Sequence, residues 1–128
     1  MNLIAQHSPQ DAYRRVELDA RVGGSDPRQL VTLCYEQLIG ALGTALHAAA
    51  RGDNRVKSAA MTKALSSVTA LHLGISGEGD VVWALRHLYE ATRRALLDSV
   101  LTFDAVAIGT IRADFIDILR AMSGAAPG

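Results

Sequence analysis

The punctuation of this chain limits its fold more than any other feature. Apolar residues recur at helical spacing through long stretches, and only a few residues interrupt them. Gly52 closes the first long stretch, and Asp53 or Asn54 can cap the next. Gly74-Ile75-Ser76-Gly77-Glu78-Gly79 is a glycine-rich loop with a cap at Asp80 behind it, and Asp104 caps the last stretch. Helices joined by such short connections must turn back beside one another. The expected class is therefore all-α: an antiparallel up-down four-helix bundle with a short N-terminal helical segment. No stretch alternates as a strand would. The expected division is 1–24 as tail and short capping segment, 25–124 as the bundle, and 125–128 as a frayed end.

Helix one, from about Pro27 to about Arg51, has the clearest start. Asp26 can accept from the free N–H groups of the first turn, Pro27 suits the first helical position, and Gln29 can reach back to the cap. Two apolar stripes follow. One is Leu30, Leu33, Cys34, Gln37, Ala41, Ala45 and Ala48; the other is Val31, Tyr35, Leu38, Leu42, Leu46 and Ala49. Together they are wider than one packing seam requires. Leu33 and Cys34 are expected in the core. Val31, Tyr35, Leu38 and Leu42 are expected to contribute to a partner groove or to underlie it. Gly40 and Gly43 each cost about 1 kcal/mol relative to Ala inside a helix, and close approach by a neighbouring backbone would account for them.

Helix two, to about Leu73, repeats Val56, Ala60, Ala64, Val68 and Leu71 and is rich in small residues. Helix three, capped by Asp80 and running to about Thr102, has the stripe Val81, Leu85, Leu88, Thr92, Ala95, Ser99, flanked by Tyr89 and Leu96. Trp83, Leu97 and Leu101 fall off that face. Helix four carries Ile108, Ile111, Phe115, Ile118 and Met122. Ahead of the bundle, Ala12, Tyr13 and Val16 share one side of a segment too short to stand alone, so it must dock or stay mobile.

Composition removes several function classes. Thirteen basic and thirteen acidic residues give a formal net charge of +0, which is no footprint for nucleic acid or an anionic membrane. It also does little to oppose self-association, so a homo-oligomer is compatible with the sequence. No apolar run approaches a membrane span, and Met1–Gln10 lacks the pattern of a signal peptide; a cytoplasmic location is expected. One cysteine rules out an internal disulfide.

Chemistry finds little support. A di-iron bundle needs Glu-x-x-His pairs, but the residue three after each glutamate is Ala20, Ile39, Val81 or Arg93. His87 and Glu90 share a face without the further ligands that a metal requires. Cys34 has no sequence sign of an activating base. No phosphate loop is present. No enzyme activity, cofactor or metal is expected. The alternative to a binding protein is a four-helix phosphotransfer domain with His47 as acceptor, although His47 lies near the end of its helix.

The ordered series of local motifs resembles the flagellin export chaperones, the FliS family, over nearly the whole chain. The matching pieces are Ala12-Tyr13-Arg14-Arg15-Val16, then Ser25-Asp26-Pro27-Arg28-Gln29-Leu30 leading into Leu33-Cys34-Tyr35-Glu36-Gln37-Leu38. Arg51-Gly52-Asp53, Leu88-Tyr89, Arg93-Arg94-Ala95-Leu96 and Asp104 follow in order. Asp26 is an insertion relative to the family pattern. Ala91 or Thr92 replaces an aromatic, and Ser99–Phe103 replaces an asparagine-rich stretch, as in a divergent member. The resemblance implies a cytoplasmic bundle that binds the disordered C-terminal segment of flagellin in apolar grooves and presents it to the flagellar export apparatus. Tyr13 and Val16 would then belong to a displaceable N-terminal cap over part of that groove.

Overall fold

The computed structural model of the chain describes residues 27–124. Asp26, Tyr13 and Val16 lie outside the described residues. Four helices fill the described chain: α1 Pro27–Arg51, α2 Asn54–Gly74, α3 Asp80–Leu101 and α4 Ala105–Met122. With no strand among the described residues, the all-α four-helix expectation holds.

The links are made by the residues that mark them in sequence. Gly52, at φ 74°, takes the left-handed conformation that glycine adopts without penalty. Its N–H donates to the Ala49 carbonyl at 3.1 Å, and the Asp53 N–H donates to that of Ala48 at 2.9 Å, which closes α1 in a Schellman motif. Asp53 then starts α2 at once, its carboxylate accepting from the Val56 N–H at 3.1 Å. Asp104 does the same for α4, accepting from the Ala107 N–H at 3.0 Å.

Asp80 behaves otherwise. The cap position of α3 is Gly79, at φ 119° and without a side-chain bond, and Asp80 is the first helical residue. The turn of the Gly77–Gly79 loop, with both glycines at positive φ, carries the chain one residue further before the helix starts. Asp80 therefore contributes negative charge at the positive end of the helix dipole rather than a cap.

The core takes Tyr35, Leu38, Leu42 and Ala45 from α1, Ala60, Met61, Ala64, Val68 and Leu71 from α2, Tyr89 and Leu96 from α3, and Ile108 and Phe115 from α4. The α1–α2 pair is the most extensively packed. Small residues explain this: Ala41, Ala45, Ala48, Ala60, Ala64 and Ala70 are all buried and let the two backbones come close. α1 also packs on α4, and α2 on α3. The α3–α4 seam is the loosest of the four.

Two expectations for α1 need correction. Leu33 is 55% exposed and Cys34 only half-buried, so the core face at the start of α1 is not theirs. A wide apolar arc does not by itself identify its inner edge. Here the inward face is centred on Tyr35, Leu38 and Leu42, which leaves Leu33 on the outer side. The glycines also differ from expectation. A Cβ at Gly40 would meet nothing within 4 Å, whereas one at Gly43 would lie 3.1 Å from the Nε of Arg112. A side chain, not a backbone, is what Gly43 admits.

Candidate functional site

Of the α1 residues expected at a groove, Tyr35, Leu38 and Leu42 have no accessible surface, and Val31 is half-buried. Their places suit the second of the two roles expected of them, underlying a groove rather than lining it. Around them sits an aromatic trio from three helices. The hydroxyls of Tyr35 and Tyr89 are hydrogen-bonded at 2.7 Å. Their rings meet edge-on at 6.3 Å, and Phe115 lies 5.3 Å from the Tyr35 ring. Burial pushes the Tyr35 hydroxyl above its ordinary pKa, and the bond to Tyr89 partly offsets this. The bond ties α1 to α3 across the bundle, two helices that are not adjacent neighbours.

Accessible apolar surface appears beside this trio. Leu85 and Leu88 on α3, with Ile111, Ile118 and Leu119 on α4, pack against the core yet remain only half-buried. They come from the two helices with the loosest seam. From sequence, four of these five belong to ordinary core stripes; Leu119 has no such assignment. One signal of their incomplete burial is legible in α3. Its inner stripe includes Thr92 and Ser99, both buried and both too small and polar to fill a tight core layer.

The outer face of α3 adds to this surface. Trp83 is 65% exposed and Leu101 90%, with Leu97 and Val100 also exposed. Trp83, Leu97 and Leu101 were expected off the packing face, and they are. Leu97, Val100 and Leu101 stand at the i, i+3, i+4 spacing of a single helix face, and Val106 continues the exposure at the head of α4. An apolar row of this kind marks a partner site more readily than a catalytic one.

The remaining features do not assemble chemistry. An open groove of about 570 Å³ between α1 and α2 is lined by Gly40, Thr44, Arg55, Ala59 and Lys63. Another, about 590 Å³, lies at the head of α3 beside Asp80, Trp83 and Arg86. Neither adjoins the aromatic trio or concentrates titratable groups with shifted pKa. Burial raises the Cys34 thiol, the wrong direction for a nucleophile. His47 is exposed. His87 lies against the Trp83 ring at 4.1 Å, while Glu90 pairs with Arg94 at 3.8 Å, so the two do not act as a ligand pair. No cluster of His, Cys, Asp or Glu among the described residues is suited to a metal ion. No described helix is long and apolar enough to cross a membrane.

Comparison with known proteins gives a consistent result. Residues 9–125 match the family described as Flagellar protein FliS. The Flagellar secretion chaperone FliS of Salmonella typhimurium is 29% identical over 119 residues, covering 91% of this chain and 88% of that protein. No solved structure matches.

Proposed function

The chain belongs to the flagellar protein FliS family, and from that premise we propose that it is a flagellar export chaperone for flagellin. It binds the disordered C-terminal segment of flagellin, keeps that segment from polymerising early, and delivers it to the export apparatus from the cytoplasm. The observation that carries this reading is the apolar surface left on α3 and along the α3–α4 seam. An amphipathic segment can lay its apolar face there and order as it binds. Tyr35, Leu38 and Leu42 underlie the groove by fixing how α1, α3 and α4 sit together, and half-buried Val31 contributes to its rim. Tyr13 and Val16 form a cap that the flagellin segment displaces.

Trp83 is the single tryptophan of the chain, so its fluorescence is a direct probe. Titration with the C-terminal segment of the cognate flagellin should shift Trp83 emission to the blue and saturate. The same complex should delay flagellin polymerisation. A segment that leaves Trp83 emission, elution volume and polymerisation unchanged removes the reading. The cap has a separate test: residues around Tyr13 should lose hydrogen-exchange protection when the segment binds, and equal protection with and without it refutes displacement.

A further inference from the structure

We propose that Arg112 anchors an acidic side chain of the bound segment at a second contact, midway along the seam between α1 and α4, where the segment continues round α4 from the α3–α4 surface. The proposal rests on the chaperone reading and adds the chemistry of one contact to it. Arg112 is half-buried on α4. Its Nε donates to the main-chain carbonyl of Ile39 on α1 at 3.1 Å. The guanidinium lies over Gly43, where a Cβ would stand 3.1 Å from Nε and 3.5 Å from Cζ and one amino nitrogen. A Cβ at 43 would be tight against the guanidinium, which would have to give by a few tenths of an ångström.

Only one edge of the fork is used. Both amino groups of Arg112 make no hydrogen bond or ion pair within the described residues. Asp114 and Asp117 on its own helix and Glu36 on α1 are exposed and do not pair with it. A partly desolvated guanidinium, oriented by one bond and free at its amino groups, is completed by a carboxylate received in fork geometry. Half-buried apolar residues share these two helices: Ile39, whose carbonyl Arg112 meets, and Leu46 on α1, and Ile116, one turn beyond Arg112 and outside the core cluster. The fitting occupant is therefore an amphipathic segment with a carboxylate among apolar residues. Arg112 and Gly43 both lie well inside their helices. A segment lying along the seam presents side chains there, not its end, so the carboxylate is assigned to an Asp or Glu rather than to a chain terminus.

The test is titration of the full chain with the flagellin C-terminal segment, comparing wild type, R112Q and R112K, with thermal unfolding of each. R112Q should weaken binding about ten- to hundredfold, and R112K, which keeps charge without the fork, should recover part of that. The penalty should vanish for a segment whose contacting Asp or Glu is changed to the amide, and C-terminal amidation should leave it intact. G43A should weaken binding when Arg112 is present and have no such effect in R112Q. If R112Q does not fold, G43A and the segment variants against wild type decide the question. Folded R112Q with unchanged affinity overturns the proposal and leaves the chaperone reading standing. Loss of the Arg112 dependence on amidation alone overturns the side-chain assignment. No binding by wild type removes the chaperone reading and this proposal with it.

Discussion

At the residue scale, the Tyr35–Tyr89 bond places two hydroxyls against each other inside the aromatic centre of the core. Tyr35 has no accessible surface, so Y89F would leave its hydroxyl without that bond in an apolar interior. The expected cost is about 1–3 kcal/mol. Replacing both with Phe removes the stranded hydroxyl as well, so Y35F/Y89F should be less destabilised than Y89F alone. Urea unfolding of the set measures this, and a double mutant at the sum of the two singles would contradict it. The same burial makes a pH prediction. The Cys34 thiol and the Tyr35 phenol are raised above their ordinary 9.0 and 10.0. The unfolded chain therefore releases those protons first as pH rises. Their contribution to stability is complete below about pH 9 and falls as pH climbs toward the folded values. The urea midpoint should drop above pH 9, and the drop beyond pH 10 should be shallower in Y35F.

At the element scale, the helices were largely legible because their ends are chemical. Gly52, Asp53 and Asp104 announce their roles through positive φ or capping oxygens, and the structure uses each as expected. D104A should cost about 1 kcal/mol of stability and D80A less, because Asp80 makes no capping bond. Thermal unfolding of both variants tests the difference. The faces of the helices were less legible. Spacing shows that Leu33 and Tyr35 are both apolar on α1, but which of them turns inward depends on where α2 and α4 lie. That is set by packing between helices and not by the local sequence. Likewise Leu85 and Ile111 carry the spacing of core residues and remain half-buried because α3 and α4 pack loosely. By contrast, the outer row of α3 was visible, since Trp83, Leu97 and Leu101 fall off its stripe. L97D/L101D should leave the unfolding temperature nearly unchanged, these being exposed sites, while weakening capture of the flagellin segment. L96D, one residue away and fully buried, should fail to fold. Equal behaviour of the two variants would contradict the division of α3 into inner and outer faces.

At the scale of the whole molecule, packing is unequal around the bundle. α1 and α2 share a small-residue interface and the tightest contact, while α3 and α4 share the loosest. Local opening follows contact density, so α1 and α2 form the stable half, and α3 and α4, each with one main neighbour, should open more readily. Arg112 is one of the few polar ties holding α4 to α1, through the Ile39 carbonyl. Binding that fills the α3–α4 seam supplies the packing the free chain lacks there, so protection should rise where it is lowest. Hydrogen exchange of the free chain should rank α1 and α2 slowest and α3 and α4 fastest. With the flagellin segment bound, amides of α3 and α4 should slow markedly while those of α1 and α2 change little, since the stable half is already near its limit. Uniform slowing across all four helices would mean that binding stabilises the fold as a whole. Slowing confined to α1 and α2 would place the segment on the opposite side of the bundle.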